Sequence, residues 1–540
     1  MPPFVRWLAF VAAALAVAVR AAADDPALEA GKRIYASGQL PSGQPLTARV
    51  QGDTAATGMQ LVCAGCHGRS GLGAGEGQVF TPAITGNVLY KPVEIRRAQL
   101  YGIRTLRPAY TDATLARAIR AGIDAAGRPL DPMMPRYALD DGDMQALIAY
   151  LKSLSTEPSP GVSDTDIHFA TIVTDGVDPR RRKAVLDVLH AFVDDKNAQT
   201  RHETSRAARG PFHMARHNQA YRRWDLHVWD LSGAPDTWTA QIEALYARQP
   251  VFAVIGGVGD GSWRPIHDFC ARRRVPCLLP NTALPVVAAS DTQADYYSLY
   301  FSKGLTLEAQ IVARHLRDAE APVIQVYRPD EGGMTAASAL RQALAPGYPL
   351  RDKPLATGER VTAASLRALA RANPGARFVL WLDARDMPAL EGMADEADHV
   401  AHIYLSAALV GQRPPSVPPA LRDKVYLVDF FDAPMDAARR LHAVRRWLRT
   451  KRIEAADEHL QANTLFALTL VAQALKHVGT NFQRDYFLER VEHIFDSMVT
   501  PAAYPKLALG PNQRFAAKGA YLVRLRGSGD APDRGVWIVP

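Results

Sequence analysis

From Asp166 onward, short apolar runs alternate with amphipathic stretches, and this alternation restricts the fold more than any other feature. "DIHFATIVTDG" reads as a strand, "PRRRKAVLDVLHAFVDD" as a helix and "RWDLHVWDL" as the next strand. "DTWTAQIEALYARQ" follows as a helix, "PVFAVIGGVG" as a buried strand, "SWRPIHDFCARRR" as a helix and "VPCLLPN" as a strand. Strands with little polar face, each followed by a helix, predict a parallel sheet covered on both sides. The unit then repeats. Helix "TLEAQIVARHLRDA" leads to strand "PVIQVYRP", helices "MTAASALRQALA" and "TAASLRALARA", and strands "RFVLWLD", "HVAHIYLS" and "KVYLVDFFD". Two α/β lobes in series imply a crevice outside the carboxyl ends of their strands, where small ligands bind. A chain of 540 residues has room for both lobes and for a further domain.

The N-terminus, "MPPFVRWLAFVAAALAVAVRAAADDP", puts Arg6 before an apolar stretch from Trp7 to Val19 and a small-residue run, Ala21 to Ala23, before Asp24. This is the pattern of a cleaved export signal, and the stretch is shorter than the ~20 residues a membrane-spanning helix needs. The reading is a signal peptide at 1–23, a periplasmic mature protein and no stable membrane span. With 48% hydrophobic and 22% charged residues, the composition is that of a soluble globular chain. The net charge of +8 is modest for this length, and the runs Arg180–Lys183 and Arg272–Arg274 lack interleaved aromatics. They read as solvated helix ends, not as a nucleic-acid surface.

Between signal and lobes lies "LVCAGCHGRSG", which places Cys63, Cys66 and His67 within five positions. Such a group can be a redox dithiol, half of a zinc site or the attachment point of a haem. Zinc needs a second pair, and the remaining cysteines, Cys270 and Cys277, stand far downstream. A thioredoxin-like dithiol follows a strand at a helix start, and "TAATGMQLVCAGCHG" has no β-branched strand before it. Haem attachment uses all three residues: two thioethers to the porphyrin and the adjacent imidazole on the iron. About seventy residues later, "RPLDPMMPRYALDDGDMQALIAYLKSLS" carries a Met-Pro step, a capping Asp and a helix with Met144, Leu147, Ile148, Leu151 and Leu154 at helical spacing.

With the short helix "PALEAGKRIYASG" upstream, residues 25–155 resemble class I cytochrome c. The resemblance implies an all-α domain with one covalent haem c on Cys63 and Cys66, His67 as proximal iron ligand and Met134, directly before Pro135, as the sixth ligand. Met133 is the alternative. Gly31 and Tyr35 are then the first helix's contact with Tyr150 and Leu151. Residues 36–58 separate that helix from the haem motif by more than the family's usual spacing. His/Met ligation leaves no open position on iron, so such a domain moves electrons and makes no bonds.

The larger remainder resembles a type I periplasmic binding protein of the leucine or branched-chain amino-acid group. The likeness is carried by "VFAVIGGVGDGSWRPIHDFCARRRVPCLLPNTALP", "NTLFALTLVAQALKHVG" and "YPKLALGPNQRF". It implies a ligand carboxylate held after two first-lobe strands, near Ser262, Asn281 and Thr282, and an acidic group on the second lobe, Asp383, for a ligand amine. The family's Tyr-Gly turn is replaced by "RPDEGGM", so the amino-acid clamp is incomplete. The expected layout is a signal peptide at 1–23, a cytochrome c domain at 24–155, a Ser/Pro-rich linker at 156–165 and a two-lobed α/β binding-protein-like domain at 166–540.

In an oxidising compartment, Cys270 and Cys277 in "FCARRRVPC" are expected to close a disulfide, with two buried thiols as the other reading. His202, His213 and His217 read as surface residues of an insertion. No catalytic motif accompanies the α/β half, so an electron carrier or binding protein is expected, not an enzyme. The expected partners are a redox protein, on the dehydrogenase or terminal-oxidase side, and an unidentified small solute. The alternative is a solute receptor for an ABC-type importer or a sensor, with the haem as an accessory.

Overall fold

The computed structural model describes residues 25–540 apart from 51–53, 74, 77–78, 97–103, 201–221, 288–292, 318–320, 412–414, 433, 511–512 and 526–534. The signal-peptide reading and the three histidines at 202, 213 and 217 lie outside the described residues. The chain divides into two compact units. One runs to Pro158 and includes Asn481–Glu489; the other comprises Ser159–Thr480 and Arg490–Pro540.

In the first unit, helix Pro26–Ser37 starts on Asp25, whose side chain accepts from Ala27 N at 2.9 Å, and stops at Gly38 in the left-handed region, φ 62°. Helix Asp141–Ser153 starts the same way on Asp140. The two helices cross where a Cβ on Gly31 would lie 2.1 Å from the Ala146 carbonyl oxygen, so any side chain there forces them apart. The Tyr35 and Tyr150 rings meet at 5.2 Å beside the crossing, the contact the sequence predicts. Ile34, Leu61, Leu115, Leu147 and Leu151 fill the core beneath it.

The all-α frame carries an addition. Residues within 36–58 form an antiparallel pair, Thr47–Val50 with Thr54–Thr57, and Thr47–Val50 also pairs with Arg136–Tyr137. The extra spacing is therefore a small sheet that ties down the chain immediately after Met134-Pro135.

In the second unit, the first sheet runs in the order Asn281–Thr282, Val258–Gly259, Asp166–Thr174, Ala253–Ile255, Cys277–Leu278, Ser298–Leu299, with Arg223–Leu231 also paired to Asp166–Thr174. All these pairings are parallel. The single strand expected at 250–259 is broken in two. Gly256 and Gly257 take φ 59° and 95°, and a Cβ on Gly257 would meet the Ile172 carbonyl oxygen at 2.6 Å.

The second sheet orders Leu350–Pro354, Val323–Tyr327, Ala376–Trp381, Val400–Ser406 and Val425–Asp429 in parallel, then adds Ala520–Arg524 and Val536–Ile538 antiparallel. The edge strand Leu350–Pro354 was not expected. Its sequence, LRDKP, is mostly exposed and shows no apolar alternation.

Candidate haem and solute sites

Cys63, Cys66 and His67 occupy one short helix, Cys63–His67, entered from Val62 in an extended conformation. Two tyrosines fix its ends. Tyr137 donates its hydroxyl to the Leu61 carbonyl at 2.9 Å, and Tyr35 donates to the Gly68 carbonyl at 2.6 Å. Beyond the helix, Ser70 donates its N–H and its hydroxyl to the Glu489 carboxylate at 2.7 and 2.9 Å.

His67 is buried, and its Nδ1 lies 2.9 Å from the Pro82 carbonyl oxygen. A carbonyl only accepts, so Nδ1 carries the hydrogen and Nε2 keeps its lone pair. Burial also holds the His67 pKa below its ordinary value, favouring the neutral ring that a metal ligand must be. The second-sphere carbonyl that orients a ligating imidazole is thus already in place.

Cys63 stands in apolar surroundings, and burial pushes its thiol up to about 11. A redox-active dithiol needs the opposite shift, toward thiolate at neutral pH. Met134 is half-buried against the same core as Cys63 and Ala64, whereas Met133 is 59% exposed. Paired cysteines, a tautomer-fixed imidazole and an inward thioether form a donor set that fits haem c. Bound there, the group would supply a one-electron iron couple.

The solute positions divide differently. On the first lobe, Thr282 lies opposite Gly259 in the ladder, and Trp263 N–H bonds to the Leu284 carbonyl at 3.1 Å, bringing Ser262 toward the same loop. These hydroxyls serve the fold: Ser262 Oγ accepts from Arg264 N at 3.3 Å, and Thr282 Oγ1 from Leu284 N at 3.1 Å. Asn281 is buried; it donates to the Gly257 carbonyl and accepts from Asn463 Nδ2, each at 3.2 Å, and Asn463 accepts in turn from Ala503 N. Asp383, on the second lobe, is bonded to Arg385 at 2.6 Å and lies 3.7 Å from Arg328. The Arg385 hydrogen bond, more than any other interaction, holds its carboxyl below the usual range. A cavity of about 570 Å³, lined by Lys303, Arg314, Arg317, Arg514 and Lys518 among others, contains none of these four positions.

Sequence reasoning missed a buried acid pair at the carboxyl ends of the second sheet. Glu308 is fully buried in helix Leu305–Leu316, and its Oε1 accepts from Ala408 N at 3.1 Å. Burial pushes Glu308 up to about 8 and Asp429 up to about 6. The one local signal was a carboxylate on the apolar face of "LTLEAQIVARHL".

Cys270 lies in helix Arg264–Arg273, and Cys277 opens strand Cys277–Leu278. Both lie in an apolar core with Trp229, Phe269 and Val275, where a thiol packs as a small hydrophobe.

A family model for cytochrome c matches residues 53–155 and one for periplasmic binding protein matches residues 222–530. The molecule is therefore a cytochrome c domain fused to a solute-binding domain of ABC-type fold. The second match covers more than half of the chain, and the chain belongs to the periplasmic binding protein family.

Among solved structures it is similar to a fatty acid ABC transporter substrate-binding protein from Thermomonospora curvata. That match has 15% identity, covers 71% of this chain and 94% of that one, and has a TM-score of 0.47. An ABC transporter solute-binding protein from R. palustris, in complex with benzoate, matches at 14% identity, 69% and 96% coverage and a TM-score of 0.49. A leucine binding protein from Thermotoga maritima matches at 11% identity, 69% and 99% coverage and a TM-score of 0.48. No curated protein matches the chain. Among the described residues, no helix is long and apolar enough to cross a membrane.

Proposed function

We propose that the protein is an exported c-type electron carrier with one haem, joined to a binding domain that takes a solute or docks a partner in a periplasmic oxidoreductase system. The proposed layout keeps a signal peptide at 1–23, the haem domain at 24–155, a linker at 156–165 and the binding domain at 166–540. The observation that carries the reading is the His67 Nδ1 contact with the Pro82 carbonyl, which leaves Nε2 as the free ring nitrogen. Cys63 and Cys66 are the proposed thioether positions, and His67 and Met134 would hold the iron.

The role of each group follows from its surroundings. Pro82 fixes the tautomer, and Tyr35 and Tyr137 hold the backbone on either side of the motif. The pairing of Thr47–Val50 with Arg136–Tyr137 restrains the Met134 turn. With His67 and Met134 both bound to it, the iron would offer no site to an added ligand. The ferrous full-length protein is therefore expected to be oxidised and reduced reversibly while binding no carbon monoxide. Rapid carbon monoxide binding would contradict the electron-carrier reading.

The alternative is a solute receptor for an ABC-type importer or a sensor, with the haem as an accessory; the commitments of Asn281 and Asp383 count against an α-amino acid as its solute. Titration calorimetry with leucine and valine is expected to give no saturable heat at micromolar concentrations. Micromolar binding would restore the receptor reading.

A further inference from the structure

Apart from the sites above, one face of the second sheet gathers cations and aromatic rings near the amino ends of its parallel strands. Arg377 is the ladder partner of His402, Tyr404 of Tyr426, and Tyr426 of Arg524. Ladder partners share a face, and the two-residue period puts His402 on the face of Tyr404. Helix Leu305–Leu316 contributes His315, whose ring centroid lies 5.2 Å from that of Tyr426 and 6.5 Å from that of His402. His315 Nδ1 is 2.9 Å from the Tyr404 hydroxyl, and the Arg524 guanidinium carbon is 5.8 Å from the Tyr426 centroid.

Three nitrogens in this cluster are buried without a hydrogen-bond partner among the described residues: Arg377 Nη1, His402 Nδ1 and Arg524 Nε. Neighbouring arginines of the same lobe are paired, Arg328 with Asp386 and Arg371 with Glu396. Arg377 and Arg524 have no such carboxylate among the described residues. Burial lowers the pKa of His402, and the charges that lower it further are Arg377, His315, Lys424 and Arg524, all basic. Each unmet buried donor destabilises the fold, and like charges add to that cost. A bound anion would accept from both arginines and, with the hydrogen on Nδ1, from His402, and it would neutralise the excess charge. His315 is exposed, so the cluster is open to solvent on the helix side.

We propose that Arg377, His402 and Arg524 form a binding site for a small oxyanion, of the size and charge of inorganic phosphate. The site lies at the opposite end of the sheet from Ser406, Asp429 and Asp383. Occupancy would be independent of the haem and of the crevice ligand.

The test uses the full-length holoprotein, titrated with inorganic phosphate by calorimetry and followed by thermal unfolding, with chloride at matched ionic strength as control. Phosphate is expected to bind once per chain and to raise the unfolding temperature, and chloride to leave it unchanged. Arg377→Gln and Arg524→Gln are each expected to weaken phosphate binding at least tenfold. Each should leave the phosphate-free unfolding temperature unchanged or higher, because a repulsive neighbour is gone. Three results would overturn the proposal: an equal shift with chloride, wild-type phosphate affinity in both variants, or early unfolding of both in phosphate-free buffer. The last would mark the arginines as structural.

Discussion

Alanine at Met134 is expected to lower the reduction potential of the haem on the order of 0.1 V, within the ~0.8 V that axial ligands command. The thioether stabilises ferrous iron relative to ferric, so its loss favours the oxidised state. Met134→Ala should also open the iron to carbon monoxide, which the parent excludes. Met133→Ala is the internal control. Its side chain is 59% exposed, while Met134 packs half-buried against the core that holds Cys63. Spectroelectrochemistry on both variants decides the assignment. If Met133→Ala shifts the potential and Met134→Ala does not, the ligand is one residue earlier than proposed. If neither shifts it, the iron has no methionine ligand.

The second large effect concerns pH and the buried Glu308. Its pKa rises from 4.5 in the unfolded reference to about 8, because burial disfavours the carboxylate. The native state therefore holds a proton that the unfolded chain has released, and stability falls as pH rises from about 4.5 through about 8. The loss above pH 8 is on the order of a few kcal/mol. Asp429, raised from 3.8 to about 6, adds a smaller loss of the same sign in a lower window. His267 and His402 have lowered pKa values and act oppositely, losing stability as pH falls. The difference between parent and variant isolates the Glu308 contribution. Glu308→Gln is expected to match the parent near pH 5 and exceed it by a few kcal/mol at pH 9 in urea unfolding. A difference that does not change with pH would show that Glu308 is ionised in the native state.

The haem motif was legible because its donors are neighbours in sequence, and the helix crossing because Gly31 and Tyr35 sit one turn apart on one face. The carbonyl that orients His67 belongs to Pro82, and a backbone acceptor leaves no mark in residue type. Glu489 is likewise hidden, since it reaches Ser70 across 419 positions of sequence. The bond between Asn281 and Asn463, 182 positions away, is equally hidden from a reading of the loop alone. The edge strand Leu350–Pro354 was invisible because pairing on one side only leaves its side chains exposed and charged.

The central claim is that Cys63, Cys66 and His67 hold one haem covalently. The most direct measurement is the haem content of purified full-length protein, made with a working haem-attachment system, after denaturation and acid–acetone extraction. One haem per chain is expected to stay with the protein, and to be lost from the covalent fraction when Cys63 and Cys66 are both replaced by alanine. A colourless protein, or haem that leaves with the solvent, would contradict the account.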